Sequence, residues 1–167
     1  EDPYSGTGVA VKDGAVAHIV NNTVSGCRHG IYLYQGHAGQ GGGNATIANT
    51  IVWGNESGID LDALSTITIT YSDVERDVGI WPGEGNINTD PLFRSPQNGD
   101  FQLQQESPCV DAGTETDAPN KDIQGVCRPY GIGYDIGAYE LQNNQFGGTL
   151  AKDTTLSAIC QPTYIIT

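Results

Sequence analysis

One short pattern occurs three times along this chain at a nearly constant spacing. It reads glycine, apolar, variable, apolar, and it occupies Gly8–Val11, Gly30–Leu33 and Gly58–Leu61. Each copy is followed by a second β-prone element that opens on an isoleucine, namely Ile19, Ile47 and Ile69. The glycines lie 22 and 28 residues apart and the isoleucines 28 and 22 apart, so the period is 22 residues with a six-residue insertion inside the second copy. A repeat of this length built from short alternating strands predicts a solenoid, in which each turn buries its apolar side chains only against the next turn.

The alternation within each repeat predicts which side chains face the interior of the solenoid. Residues two apart on a strand point to the same side. We therefore expect three inward pairs on the first strands: Val9 with Val11, Ile31 with Leu33, and Ile59 with Leu61. The second elements supply two further inward stacks: Ile19/Ile47/Ile69 and Val24/Val52/Val74. The residues between the inward pairs should line up on the outside: Ala10, Tyr32 and Asp60.

A polar column lies between the two apolar stacks of the second elements. It consists of Asn21, Asn49 and Tyr71 beside Asn22, Thr50 and Ser72. Side-chain amides and hydroxyls at such positions bond to backbone groups that a bend leaves free, so we interpret the column as a corner of the coil and not as a ligand site. The insertion, near Gln35–Gly43, is rich in glycine and should protrude as a loop.

The period is lost after residue 77, where turn-forming residues become frequent. The sequence therefore predicts three regions: parallel coils over 1–77, a loop-rich cap over 78–141 that covers the exposed end of the solenoid, and a linker with a β-prone tail over 142–167. The tail is predicted either to add its strand to a neighbouring molecule or to open a following domain. Its candidate assembly residues are Leu150, Leu156, Tyr164, Ile165 and Ile166.

The balance of charge restricts the partners of the chain. Twenty acidic residues against seven lysines and arginines give a formal net charge of −13. Nucleic acid is not expected as a partner, because neutralising phosphates needs clustered cations. Membrane insertion is not expected either, since no apolar run approaches the roughly 18 residues that a membrane span needs.

The four cysteines raise the question of disulfide bonds. They are Cys27, Cys109, Cys127 and Cys160, and they allow three pairings if all are bridged. We favour a Cys109–Cys127 bridge, which would close a polar loop, with Cys27 and Cys160 as a second pair or as free thiols. Disulfides form in oxidising compartments, so a secreted, extracellular or cell-surface location is expected.

The last part of the coil-and-cap region carries a family resemblance. Asn86–Phe93 and Asn98–Leu103 are followed by Ser107–Gly113, Arg128-Pro129 and Asp135–Glu140. In this order they resemble the C-terminal cap of secreted bacterial right-handed parallel β-helix surface proteins, of the pectate-lyase-like and choice-of-anchor kinds. The resemblance implies an all-β fold, namely a right-handed parallel β-helix of about three coils with the 22-residue period, an irregular cap and a β-prone tail.

The resemblance also directs attention to carbohydrate chemistry. Polysaccharide lyases on this fold use a basic group to remove a proton and hold calcium with several acids, but the coils show no outer stack of lysine or arginine. Candidate metal ligands are Asp60, Asp62, Asp73, Glu75 and Asp77. Candidates for contact with sugar rings are Tyr32, Tyr34, His37 and Trp53. No catalytic residue is assigned and no cofactor is required, although Ca²⁺ would suit the acids.

Two classes of function remain open at this point. The leading interpretation is a secreted structural or adhesive β-helix module of a bacterial surface protein, which assembles with itself, as in a filament, or joins adjacent domains of a longer chain. The alternative is a carbohydrate-active domain, either a polysaccharide lyase or a glycoside hydrolase, or a glycan-binding domain. An enzyme is the less favoured of the two, because the sequence offers no convincing catalytic constellation.

Overall fold

The computed structural model describes residues 6–142 of the chain. The candidate assembly residues and Cys160 lie outside the described residues. The described elements are β1 Thr7–Lys12, β2 Val16–Val20, β3 Thr23–Val24, β4 His29–Tyr34, β5 Asn44–Ala48, β6 Ile51–Val52, β7 Ser57–Leu61, β8 Thr66–Thr70, β9 Asp73–Val74, β10 Phe93–Ser95, a 3-10 helix Pro96–Asn98 and β11 Asp100–Leu103.

The first nine strands wind into a parallel β-helix. They form three parallel sheets, which we call the first sheet (β1-β4-β7), the second sheet (β2-β5-β8) and the third sheet (β3-β6-β9). Each coil contributes one strand to each sheet, so that coil 1 holds β1–β3, coil 2 holds β4–β6 and coil 3 holds β7–β9. The predicted all-β coiled fold is confirmed.

The strand register confirms the period and the insertion. Val9 pairs with Ile31 and Ile31 with Ile59 across the first sheet, and Ile19 pairs with Ile47 and Ile47 with Ile69 across the second. The six extra residues fall between β4 and β5, where a loop replaces the tight turn of the other coils. One core therefore runs through all three coils, in which each isoleucine packs on its equivalent.

The interior of the coils is apolar and is filled most completely in the middle coil. Fully buried side chains there include Ile31, Leu33, Ile47 and Val52. The predicted inward positions of the outer coils are covered less completely: Val9 and Ile59 pack against this core but are half-buried, and Leu61 is 40% exposed. The reason is that an outer coil has a neighbour on only one side, so that its apolar residues lose contact near the open ends.

The polar column forms the corner between the second and third sheets, as predicted. Asn21, Asn49 and Tyr71 adopt left-handed backbone angles, with φ of 53°, 49° and 45°. The next position satisfies the bend through hydroxyl groups: the Thr50 hydroxyl donates to the Ala48 carbonyl over 2.9 Å, and the Thr50 backbone N–H donates to the Ser72 hydroxyl over 3.1 Å. Asparagine tolerates the left-handed region better than most residues, which explains its presence at two of these three positions.

The last coil is closed by a short segment that continues the stack for part of a fourth coil. Ile87 forms a parallel bridge with Asp73, and the Asn86 side-chain amide donates to the Ile69 carbonyl over 2.8 Å. Trp81 packs against the core of the coils. This segment gives the second and third sheets a covered edge at this end of the molecule.

The rest of the cap lies elsewhere than predicted. The prediction placed the whole cap over the end of the solenoid, whereas the part from about residue 89 to 141 packs along the outer face of the third sheet. Ile51 of β6 is buried there in a second core with Phe93, Leu103, Cys109 and Ile136. The outward position of β6 is the apolar Ile51, between the polar Thr23 and Asp73 of the neighbouring strands, and the cap buries this side chain.

Asparagine side chains from the coils tie the cap to the corner. The Asn49 amide donates to the Thr114 carbonyl over 2.7 Å, and the Thr114 N–H donates to the Asn49 side-chain oxygen over 2.8 Å. The Asn21 amide donates to the carbonyls of Asp135 and Gly137 over 3.2 and 3.3 Å. The corner asparagines therefore have two roles, because they allow the bend and also bind the loops that pack on it.

A buried ion pair holds the cap loops to one another. Arg128 Nη1 lies 2.6 Å from Glu140 Oε1, and the two side chains are 1% and 0% exposed. Arg128 Nη2 also donates to the Gly137 carbonyl over 2.8 Å, and Glu140 Oε2 accepts the Tyr130 N–H over 2.9 Å. Burial raises the pKa of Glu140, while the bonds from Tyr130 and Asp135 N–H groups and from Arg128 oppose that rise. These bonds supply most of the partners that a pair of buried charges requires, although the buried Nε of Arg128 has none among the described residues.

Candidate functional site

Three ring-bearing side chains lie along β4 on the outer side of the first sheet. Tyr32 and Tyr34 are two residues apart, and their ring centroids are 4.8 Å apart with 34° between the planes. His29 stacks on Tyr32 with centroids 5.2 Å apart and planes at 27°. The neighbour of Tyr32 on β1 is the small side chain of Ala10. We call His29, Tyr32 and Tyr34 the aromatic face.

The two tyrosines differ in how much of the ring is available. Tyr34 points away from the core but is only 5% exposed, whereas Tyr32 is half-buried. Lys12 of β1 lies over the Tyr34 ring, with Nζ 5.9 Å from its centroid, and Tyr32 flanks it on the same strand. The sequence predicted Tyr34 as an outward ring for sugar stacking; it does lie on the outer side of the sheet, but little of it is exposed.

Two histidine–aspartate pairs flank the aromatic face. His29 Nδ1 lies 2.7 Å from Asp60 Oδ2 on the neighbouring strand β7, and His37 Nδ1 lies 2.8 Å from Asp13 Oδ2. Asp13 Oδ1 also accepts the backbone N–H groups of Gly36 and His37, each over 2.8 Å. The side-chain bond from His37 is the main cause that lowers the pKa of Asp13. Asp13 therefore fixes the start of the insertion loop to coil 1.

Two of the other predicted metal ligands hold turns of the coils. Asp62 accepts the Gln35 N–H over 2.7 Å and the Ser65 hydroxyl over 2.7 Å, and the bond from Gln35 lowers its pKa most. Glu75 accepts the Gly54 N–H over 2.6 Å. A carboxylate that accepts backbone N–H groups in this way satisfies a turn, as in the Asx motifs of other proteins.

Asp73 is the predicted ligand with the least ordinary surroundings. It is fully buried beneath the cap. There its Oδ1 accepts a hydrogen bond from the Thr89 N–H over 3.2 Å, and its Oδ2 accepts one from the Cys109 thiol over 3.2 Å. Burial raises the pKa of Asp73 to about 6, and burial also raises the pKa of the Cys109 thiol. Sequence reasoning missed this pair, because the two residues are far apart in the chain and only the packing of the cap on β9 brings them together.

The state of Cys109 corrects the favoured disulfide. Cys109 is a buried free thiol, so it does not form the predicted bridge with Cys127. Cys27 is also a free thiol, at a half-buried position, and so forms no second pair. The Cys109 side chain is directed toward Asp73 of the coils, which is why it is not available to the cap loop that it was predicted to close.

The predicted ligand groups are distributed over several places. Asp60 and Asp62 lie on or next to β7, Asp73 is covered by the cap and Asp77 is exposed. Within residues 6–142, no three histidine, cysteine, aspartate or glutamate side chains are placed so that they could hold a metal ion. Trp53 packs on the second core beneath the cap, away from the two tyrosines with which it was predicted to bind sugars.

A groove runs beside β7 at the coil-3 end of the molecule. It has a volume of about 530 Å³ and lies between Asn55–Ile59 on one side and Glu75–Val78 with Trp81 on the other. Arg76 places its guanidinium 4.7 Å from the centre of the Trp81 ring. Three carboxylates line this β7 groove: Glu56, Glu75 and Asp77. The sequence did not reveal this groove, because the groove forms where the chain leaves the coil pattern after β9.

Comparison with known proteins identifies the coils and leaves the rest of the chain unassigned. A family model described as "Right handed beta helix region" matches residues 4–86, which is just under half of the chain. No curated protein and no solved structure matches the chain. The described part of the chain contains no helix long and apolar enough to cross a membrane.

Proposed function

We propose that this right-handed parallel β-helix is a structural or adhesive module of a secreted bacterial surface protein and has no catalytic activity. The observation that carries the proposal is the use of its surface acids. Asp13, Asp62 and Glu75 all accept backbone N–H groups and thereby hold turns or loops, and Asp73 is buried beneath the cap. Carboxylates with such roles are not arranged as acid and base across a substrate.

The location outside the cell is supported by the resemblance of the cap to those of secreted β-helix proteins. The strong negative charge agrees with a surface-exposed protein that has to stay soluble. The same proposal includes that this chain is related to pectate-lyase-like and choice-of-anchor proteins.

The proposal excludes turnover of acidic polysaccharides, which gives a direct test. The full chain is incubated with polygalacturonate, alginate and pectin, with and without calcium, and unsaturated products and new reducing ends are measured. We expect no product above that of a buffer control. Calcium-dependent release of oligosaccharides that is lost in Asp62→Asn or Asp73→Asn would instead establish a lyase.

Assembly through the C-terminal segment is the second part of the proposal. The segment Thr149–Thr167 is β-prone and adds a strand to a neighbouring copy, by the strand-addition mode that extends sheets between molecules. Sedimentation of the full chain should show concentration-dependent association, which a variant without this segment should lack. Association that is unchanged by the deletion would contradict this part.

Glycan binding is a second candidate function, which the aromatic face favours. Tyr32 is half-buried and lies beside His29 and Asp60, so that one ring and polar groups are next to each other on the outer side of the first sheet. This combination suits a sugar, which offers an apolar face and hydroxyl groups. Tyr32→Ala should weaken binding on a glycan array, whereas Tyr139→Ala, at a half-buried position in the cap, should not. Equal effects of the two variants would count against the aromatic face as the binding site.

A further inference from the structure

We propose that the edge of β7 and the β7 groove bind an extended peptide strand in which apolar and basic residues alternate. The site involves only described residues of coil 3 and goes beyond the structural role proposed above. Three features support it: a strand edge without a neighbour, apolar side chains left uncovered beside that edge, and an excess of carboxylates over cations in the groove.

The edge of β7 is open in the described part of the chain, whereas the partial fourth coil covers parts of β8 and β9. Among residues 6–142, β7 pairs only with β4. At the end of β8, the Tyr71 N–H donates to the Glu84 carbonyl over 2.8 Å, and β9 bridges to Ile87. An uncovered edge is a template for another strand. Since β7 has five residues, about 16 Å of edge is available to a partner.

Apolar side chains beside this edge lack the cover that a next coil would give. Ile59 is half-buried and Leu61 is 40% exposed, whereas their equivalents in the middle coil, Ile31 and Leu33, are fully buried. Val78 lines the β7 groove and is 82% exposed. The apolar side chains of an added strand would cover these groups as the next coil of a solenoid does.

The β7 groove provides room and negative charge next to the edge. Its volume of about 530 Å³ lies in the range of ligand sites in proteins. Its lining carries three carboxylates, of which those of Glu56 and Asp77 belong to exposed residues. The cation of the described lining is Arg76, whose guanidinium is held over the Trp81 ring. The groove therefore has more negative than positive charge to offer a ligand.

This charge, together with strand alternation, defines the partner. The side chains of an added strand point alternately to the interior and to the outside. Apolar residues would meet Ile59 and Leu61, and basic residues would meet Asp60 on the outer side of β7 and the carboxylates of the groove. The described strands of a second copy do not supply such a sequence, since their lysines and arginines are Lys12 and Arg94 alone.

Titration of the full chain with an end-blocked octapeptide of alternating valine and lysine tests the proposal. Binding is followed by tryptophan fluorescence, because Trp81 lines the groove and the peptide has no aromatic residue. We expect a saturable change and slower amide hydrogen exchange in Ser57–Leu61. One control peptide alternates valine and glutamate. The other keeps the lysines but has proline at two valine positions, which removes N–H groups that a strand needs. Each control should bind at least about tenfold more weakly.

Variants of the chain test whether the peptide binds at β7. Leu61→Lys places a positive charge on the receiving edge, and Glu56→Lys reverses a charge of the groove. Each should weaken binding of the valine–lysine peptide about tenfold. The matched controls make the same changes outside the groove lining, as Val16→Lys in coil 1 and Glu115→Lys in the cap, and should leave binding unchanged. Circular dichroism and thermal unfolding establish that each variant is folded.

Four results would overturn the proposal. Absence of binding up to millimolar peptide removes the site, and equal affinity for the proline peptide shows attraction by charge without strand pairing. Equal weakening by Val16→Lys and Leu61→Lys places the contact elsewhere than β7. The fourth result comes from the free chain. If Ser57–Leu61 already exchanges slowly at micromolar concentration, the chain itself occupies the edge, and if slow exchange appears only at higher concentration, a second copy does.

Discussion

Replacement of Asn49 by alanine should detach the cap from the coils at a large cost in stability. Asn49 is fully buried, and its side chain both donates to and accepts from the backbone of Thr114. Alanine leaves that N–H and that carbonyl without partners, at about 1–3 kcal/mol each. Its φ of 49° adds about 1 kcal/mol for a residue that disfavours the left-handed region. We expect the free energy of unfolding to fall by about 3–7 kcal/mol in total, which is the sum of these contributions.

The assay is urea unfolding followed by tryptophan fluorescence, since Trp53 lies beneath the cap and Trp81 lies at the coil-3 end. Asn49→Gly removes the same bonds but permits the backbone angle, so it should be less destabilising than Asn49→Ala. The control is Asn22→Ala, at the exposed position next to the corner, which should change stability by less than about 1 kcal/mol. A value for Asn49→Ala within 1 kcal/mol of the wild type, or equal to that of Asn22→Ala, would refute the assigned role of the corner asparagine in holding the cap.

Three further predictions concern buried charge and close packing. Arg128→Met leaves Glu140 buried without its partner and should lower the free energy of unfolding by about 3–5 kcal/mol, while Arg94→Met, on the exposed side of β10, should change it by less than about 0.5 kcal/mol. The pKa of Asp73 is raised from 3.8 to about 6, so its contribution to stability is complete below pH 4 and is lost as the pH rises through 6. Asp73→Asn should therefore flatten the pH dependence of the free energy of unfolding between pH 4 and 6, by about 3 kcal/mol at most, and an unchanged slope would contradict the raised pKa. Gly30→Ala should reduce the melting temperature measured by calorimetry, because the added Cβ would lie 2.5 Å from a backbone carbonyl of the next coil, and an unaltered melting temperature would show that the coils can separate to accept it.

The coils could be predicted from the sequence because their contacts are repeats of one local pattern. Ile19, Ile47 and Ile69 stack at the predicted register, and Asn21 and Asn49 form the predicted corner. In a solenoid each turn packs on the next turn of the same sequence pattern, so that spacing along the chain determines spacing in the structure. The six-residue insertion could be placed for the same reason.

The cap and the site could not be predicted in the same way, because they depend on contacts without a period. The thiol of Cys109 meets Asp73 across 36 residues, and no spacing rule connects the two. Tyr34 is only 5% exposed, with Lys12 of the previous coil near its ring, whereas strand alternation alone would place this ring in solvent. The groove beside β7 forms where the chain departs from the repeat pattern. The loss of the period shows that the repeat ends there, but it does not predict a groove.

The bonds from Asn21 to the carbonyls of Asp135 and Gly137 join residues 114 and 116 positions apart in the chain. A bare stack of coils can fray from either end, one turn at a time, because each turn touches only its neighbours. Here coil 1 cannot open without also releasing the cap loops that contain Asp135 and Gly137. We therefore expect the coils and cap to unfold as one cooperative unit and to refold slowly, since closure waits for distant segments to meet.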